Sequence, residues 1–475
     1  MISPSLHPDP ITAPCESRRR WAFGLTPRAI WLLIAGFALL VPGFWIDRLA
    51  YSMLAWDTLV LAAAFLDGRR LPKAAQLTAR RTWSNAPALD SETEIELTIE
   101  NHGAIIVECR LVDDLPPALV AEPATHRLTA FPRVPASIRY RTEPSERGDC
   151  ETGWLYVRYR SPLGLAERWA RAPLTHTVRV YPALRTGEEQ QIFLARSRQI
   201  DLQLRQVRQR GLGRDFESLR EYREGDDLRD ICWTATARRG SPITRQYQTE
   251  RSQPVWVVID CGRLMRSRVA AGTPGKSMLA VKDPGANVHS KLDHACTTAV
   301  ALAQLALYSG DRVGLLAYGS GIQQRLLPGR GAAHLRQFIE SLSQLRAETG
   351  EADHLRATAT LTHLQPRRAL VLWVTDLAET AMRPEVIDGA AQLLRRHVLL
   401  FVAMAQPDVA AIANARPKNV EEMFRASAAQ ELTSRRELLL ARLREQGALT
   451  LDLDPARLTS AVLNQYLRVK ERAMV

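Results

Sequence analysis

Residues 255–260 read Val255-Trp256-Val257-Val258-Ile259-Asp260. Five apolar residues without polar alternation, four of them β-branched, describe a strand buried on both faces. The run closes on a carboxylate. Downstream the pattern predicts a helix over 291–309, a strand Arg312–Tyr318 and a short return Gln323–Leu327. Helical runs follow over 332–345 and 352–364, then a strand Ala369–Val374 ending at Thr375-Asp376. A helix over 384–396, a strand His397–Ala403, a helix over 420–445, a strand Ala448–Leu453 and a helix over 457–471 complete residues 254–475. Strands alternating with helices predict an α/β domain with a doubly wound, mostly parallel sheet, whose ligand crevice lies at the carboxyl ends of the strands. Asp260 and Asp376 both fall at such ends.

Upstream the pattern changes twice. Residues 76–185 read as short strands separated by turns. Glu92–Glu100 alternates strictly and puts Ile95, Leu97 and Ile99 on one face, while Pro116, Pro117, Pro132, Pro135, Gly148 and Pro162 punctuate the rest. This predicts a small β-sandwich. Residues 190–250 are dense in both charge signs, with 13 arginines and 9 acids between Arg196 and Arg251. That alternation fits either an ion-pair network pegged by Phe216, Tyr222 and Trp233 or a solvated charged face.

Nearest the N-terminus, residues 29–46 (AIWLLIAGFALLVPGFWI) carry no charge and residues 49–66 (LAYSMLAWDTLVLAAAFL) carry only Asp57. Two 18-residue apolar runs separated by Asp47-Arg48 predict a transmembrane helical hairpin over 29–66. Arg18, Arg19, Arg20 and Arg28 precede it, and Arg69, Arg70 and Lys73 follow it. That bias places residues 1–28 and everything past the hairpin in the cytoplasm, on a two-pass inner-membrane protein.

The chain has 475 residues, a net charge of +12 and 46% hydrophobic residues, and a mean hydropathy of −0.17. Those values exclude a wholly disordered chain and a polytopic membrane protein. Only six of the 63 basic residues are lysine. The arginines are interleaved with acids and no reader motif accompanies them, so nucleic acid is not an expected partner. The six cysteines, at 15, 109, 150, 232, 261 and 296, form no metal-ligand spacing and no disulfide framework. No H-E-x-x-H or G-x-S-x-G motif is present.

The stretch Gly213–Trp233, with Ala237-Arg238-Arg239 and Tyr247–Arg251 after it, resembles the domain-of-unknown-function 58 family. The matching residues are Phe216, Leu219, Arg220, Tyr222, Gly225, Asp226, Asp227, Arg229, Ile231, Trp233, Ala237 and Arg238. The resemblance implies a von Willebrand factor A-like C-terminal domain behind an N-terminal membrane and β-sandwich module. It also implies a role as adaptor to a MoxR-type AAA+ ATPase or its protein client, in assembly, maturation or envelope stress.

The resemblance exposes a departure. A metal-ion-dependent adhesion site opens with Asp-x-Ser-x-Ser, whose oxygens ligate a divalent cation such as magnesium. Here the loop reads Asp260-Cys261-Gly262-Arg263-Leu264, so both hydroxyls are gone. Thr375 and Asp376 remain, and Asp353 is a middle-loop acid. The expectation is a degenerate, partner-binding site of Asp260, Gly262, Arg263, Leu264, Asp353, Thr375 and Asp376. No resident cation is expected; Asp260 and Asp376 would be the ligands of one. Arg263 is a candidate fixed charge in its place. Residues 270–277 (AAGTPGKS) satisfy a loose phosphate-loop pattern, but the preceding strand ends near Ile259 and helix onset waits until Lys291. Residues 266–290 therefore read as an insertion. The expected function is a non-enzymatic adaptor. The competing reading is a nucleotide-binding or hydrolytic enzyme using Asp260 and Asp376 or the 270–277 loop, but nucleophile, base and oxyanion donors are not assembled by the sequence.

Overall fold

The structure, a computed structural model, describes residues 8–17, 23–39, 47–119, 121–122, 125–183, 192–197, 199, 215–223, 228–248, 252–270, 288–377 and 385–472. The chain divides into two compact units, Met1–Ala183 and Leu184–Val475.

In the first unit two antiparallel five-stranded sheets face each other. One runs β1 (Ile11–Pro14), β3 (Leu77–Trp83), β4 (Thr93–Asn101), β8 (Ala136–Thr142), β6 (Ala121–Glu122). The other runs β2 (Phe23–Leu25), β11 (Ala166–Ala172), β10 (Leu155–Arg160), β5 (Val107–Asp113), β7 (His126–Ala130). β9 (Gly148–Thr152) and β12 (His176–Val180) pair as a separate two-stranded antiparallel ladder. Alternation explains the packing: Ile95, Leu97 and Ile99 are fully buried and share a core with Val107, Leu111, Leu155 and Val157 of the opposite sheet. Segments ahead of the first apolar run supply the outermost strands β1 and β2.

The transmembrane hairpin expected at 29–66 is not supported by the described residues of that span. The first apolar run contributes an α-helix of ten residues, Pro27–Gly36, before the chain tightens into a 3-10 turn at Phe37–Leu39. Ten residues rise about 15 Å, half the hydrocarbon thickness of a bilayer. The second run lies in the helix Asp47–Arg70, which is long enough but includes Asp57, Asp67, Arg69 and Arg70. Among the described residues no helix is both long and apolar enough to cross a membrane. The expected two-pass placement in an inner membrane falls with it. The two helices instead pack on each other: the Trp56 indole donates to the Leu32 carbonyl at 2.9 Å, and a Cβ at Gly36 would meet Asp57 Oδ1 at 2.6 Å. The far end of the second helix is tied to the sandwich. Buried Asp67 accepts from the Ser161 hydroxyl at 2.6 Å and from the Leu165 and Ala166 amides at 3.1 Å.

In the second unit β13 (Asp215–Glu221) and β14 (Ile243–Gln248) form a separate antiparallel pair. The main sheet has six strands in the order β19 (Ile322–Gly329), β18 (Arg312–Tyr318), β15 (Pro254–Asp260), β20 (Leu370–Thr375), β21 (Val398–Met404), β22 (Leu449–Leu453). All neighbours are parallel except the β18–β19 edge. Strand order reverses on either side of β15, so its carboxyl end is the topological switch point. The inner strands are buried on both faces, every residue of β20 and β21 included. Between β15 and the first helix of the sheet, β16 (Arg268–Ala270) pairs antiparallel with β17 (Val288–Ser290). The helix Lys291–Tyr308 then starts at a capping box, in which the Ser290 hydroxyl accepts from the Asp293 amide and the Asp293 carboxylate accepts from the Ser290 amide.

Asp67→Ala leaves a buried hydroxyl and two amides without their acceptor. The expected loss is about 2–4 kcal/mol of unfolding free energy of the N-terminal unit, read by urea denaturation. Asp67→Asn, which keeps one acceptor oxygen, is expected to lose less.

Candidate functional site

At the switch point the carboxyl ends of β15 and β20 bring Asp260, Thr375 and Asp376 together. Asp260 is almost fully buried. Its Oδ1 accepts from the Gly262 amide at 2.7 Å, which turns the chain out of β15, and its Oδ2 accepts from the Thr375 hydroxyl at 2.6 Å. Gly262 is closely packed: a Cβ there would lie 3.0 Å from the Ala352 amide nitrogen and from Asp260 Oδ1. Close packing accompanies the replacement of the adhesion motif's serine at this position. The loop after β15 is stitched to the segment before the helix His354–Leu364. Arg263 donates its amide to Gly350 at 2.8 Å, and the Glu348 amide donates to Cys261 at 2.7 Å. Asp353 caps that helix, accepting from the Arg356 amide at 2.8 Å. Arg263 is exposed and Leu264 half-buried.

Asp376 has no exposed side-chain surface. Its Oδ2 accepts from Lys291 Nζ at 2.5 Å and from Gln406 Nε2 at 3.0 Å, and its Oδ1 from Arg436 at 3.3 Å. Arg436 also grips Asp452 at 2.7 Å. Lys291, on the first turn of its helix, is 1% exposed. Burial pushes its ammonium below the ordinary lysine range, and the Asp376 charge pulls it back up. The fixed charge at Asp376 is therefore Lys291, with Arg436 behind it.

A divalent cation does not fit these residues. Lys291 and Arg436 already supply at Asp376 the positive charge that a cation would, and the Gly262 amide and the Thr375 hydroxyl each donate to one Asp260 oxygen. Among the described residues no three His, Cys, Asp or Glu side chains converge as a metal centre requires.

Beneath the site a buried chain of side-chain hydrogen bonds stiffens the sheet. The Trp373 indole donates to the Tyr318 hydroxyl at 2.7 Å, and that hydroxyl lies 2.8 Å from His354 Nδ1. An indole only donates, so the phenol proton is directed to the imidazole. Burial depresses His354 to about 4, keeping it neutral.

Sequence reading missed Lys291, Gln406, Arg436 and Asp452. One signal was present: Lys291 is one of only six lysines in an arginine-rich chain, placed where a buried helix begins. Of the family residues, Phe216, Leu219 and Arg220 lie on β13, and Tyr222 follows it, its amide bonded to the Pro242 carbonyl at 2.9 Å. Gly225, Asp226 and Asp227 lie outside the described residues. Arg229 is in the 3-10 turn Leu228–Asp230, Ile231 is buried, and Trp233 opens the helix Trp233–Arg239, which also carries Ala237 and Arg238. Trp233 is 70% exposed, so it is not a buried peg. Most of the 270–277 motif also lies outside the described residues.

Residues 218–423 match the family described as Protein of unknown function DUF58. The DUF58 match runs from β13 into the helix Val420–Glu445 and contains the whole switch-point cluster except Arg436 and Asp452. Uncharacterized proteins of Mycobacterium tuberculosis (Rv1480) and Mycobacterium bovis (Mb1516) are each 25% identical over 201 residues, 42% of this chain. The chain spans 56% of the length of these relatives. Two solved structures are also similar. A von Willebrand factor type A protein from Catenulispora acidiphila is 13% identical at a TM-score of 0.26, over 48% of this chain and 44% of that one. BatB, a conserved hypothetical protein from Bacteroides thetaiotaomicron, is 12% identical at 0.28, over 47% and 98%.

Burial pushes Asp260 up from 3.8 to about 6, against the hydrogen bonds from Thr375 and Gly262. The folded state therefore holds this proton more tightly than the unfolded chain. The stabilisation is full below pH 3.8 and is lost as pH rises through about 6. At about 1.4 kcal/mol per pH unit, this amounts to about 3 kcal/mol. Asp260→Asn is expected to flatten that part of the stability–pH profile, measured by denaturation between pH 4 and 7. Lys291→Met strips Asp376 of its nearest countercharge and is expected to cost about 3–5 kcal/mol at pH 7.

Proposed function

We propose that this chain is a non-catalytic protein-interaction module of the von Willebrand A type, which engages a MoxR-type AAA+ ATPase or that ATPase's protein client. The observation that carries the reading is Trp233. It stands 70% exposed in the DUF58 segment, with Leu219 at 44% and Leu228 at 68%. Tryptophan is enriched at interface hot spots, where one aromatic anchor carries much of the affinity. The switch point supports the same reading. Its carboxylates are occupied by Lys291, Arg436, Gln406, Thr375 and the Gly262 amide, an arrangement that builds a rigid platform. Arg263 and Leu264 lie in the loop leaving that platform, and partner binding there would be independent of magnesium.

The test is capture of a purified MoxR-type ATPase by the full chain, with and without chelator. Trp233→Ser is expected to weaken capture by at least about tenfold, while chelator and Leu438→Ser, an exposed change on the helix Val420–Glu445, leave it unchanged. Capture indifferent to Trp233→Ser would overturn the assignment of this surface. ATP turnover by the chain alone, abolished by Lys276→Ala, would replace the adaptor with an enzyme.

A further inference from the structure

On the outer face of the second sheet of the N-terminal unit, charges are placed in a way that folding does not favour. Across the first sheet opposite charges face each other. Glu94 stands opposite Arg141 and Glu96 opposite Arg139, with ion pairs of 3.5 and 3.4 Å. Directly opposed unlike charges stabilise a sheet, and like charges destabilise it. The second sheet follows that rule at Arg160, opposite Glu108 and Glu167, but departs from it two residues away. Its register sets Arg158 on β10 opposite Arg110 on β5, and Arg110 opposite Arg127 on β7. Three exposed arginines therefore form one row across three adjacent strands.

Only part of that row is compensated. Arg158 is held by Glu167 through contacts of 2.7 and 2.5 Å, and neighbouring Arg160 by Glu108 at 2.7 Å. Arg110 and Arg127 have no carboxylate partner among the described residues. All these residues line one cavity of about 380 Å³, together with Pro27 and Thr129. That volume is within the range of small-molecule sites, about 300–1,000 Å³. The two acids of the lining are already spent on Arg158 and Arg160, which leaves two positive charges side by side.

We propose that this cavity binds a phosphoryl dianion, free or as a small ester, between Arg110 and Arg127. Directly opposed residues on antiparallel strands stand about 4.5–5.5 Å apart at Cα, so both guanidinium forks reach one centre. A phosphoryl group brings about −1.5 to −2 charge and three acceptor oxygens, enough for both forks. A carboxylate neutralises only one of them. In an extended acidic protein segment, side chains on one face recur every ~6.6 Å, too wide for a single strand spacing of ~4.8 Å. The inference rests on the N-terminal unit alone and is independent of the adaptor reading.

The full chain is titrated at pH 8 with inorganic phosphate, phosphoserine or a glutamate octapeptide, with sodium chloride at matched ionic strength as the control. Binding is read by calorimetry and by the shift in Tm. Phosphate is expected to raise Tm beyond the chloride effect. Arg110→Gln and Arg127→Gln are each expected to weaken it at least about tenfold, and Arg80→Gln, on the exposed face of β3, to leave it unchanged. Without phosphate the two Gln variants are expected to melt no lower than the native chain, because the like-charge row is relieved. The double variant Arg110→Lys/Arg127→Lys keeps the charge but not the forks, and is expected to bind about tenfold more weakly; it decides the matter if a Gln variant does not fold. Tighter binding of phosphoserine identifies an ester, equal binding the free ion, and both support the site. Phosphate acting no differently from chloride, equal binding by all variants, or Arg110-dependent binding of the octapeptide alone overturns it.

Discussion

A carboxylate with no surface exposed to water must be neutralised by something within reach, and Asp376 is such a group. Its neutralisation organises the second unit. Lys291 arrives from the helix that follows β17, Arg436 from the helix Val420–Glu445, and Gln406 from the segment after β21. Arg436 then extends the cluster to Asp452 on β22. Hydrophobic burial brings these elements to the sheet without fixing where along their axes they stop. A buried ion cluster does fix it, because a misplaced helix would strand an uncompensated charge at a cost of several kcal/mol.

The N-terminal unit uses the same device. Arg81 is 1% exposed inside the sandwich and is ion-paired with Asp113. It also donates to Thr152 at 2.9 Å and to the Leu174 carbonyl at 2.8 Å, and Tyr140 donates to Asp113 at 2.5 Å. The network touches β3, β5, β8 and β9, so it holds strands of both sheets in one register. Asp67 does for the helix Asp47–Arg70 what Arg81 does for the strands. In both units a few buried charges set position, while the bulk of the stabilisation comes from apolar contact.

The doubly wound sheet was legible because its signal is local. Val255–Ile259 and Leu370–Val374 must be strands buried on both faces whatever lies elsewhere, and both end on carboxylates. The partners of those carboxylates were not legible: Lys291 and Arg436 lie 85 and 60 residues from Asp376 in sequence. The pairing is set by which helices cover which strand ends, and no periodicity encodes that. The apolar runs near the N-terminus misled for a related reason. Composition over 18 residues is the same whether one straight helix forms or a ten-residue helix gives way to a tighter turn. The difference lies in backbone geometry and in polar residues such as Asp67, which find partners on the sandwich.

Net charge illustrates the limit of composition most sharply. A value of +12 selects no partner, since arginines stand on both outer faces of the sandwich in different company. On the first sheet Arg139 and Arg141 stand opposite glutamates, and those charges are spent within the fold. On the second, a register set by the hydrophobic alternation of β5, β7 and β10 stands arginine against arginine. A shift of one residue in any of these strands would turn its core side chains to solvent. The arginines are therefore held in opposition by the same packing that forms the core. A fold that cannot relieve such a row internally leaves its neutralisation to whatever anion the solvent or a ligand supplies.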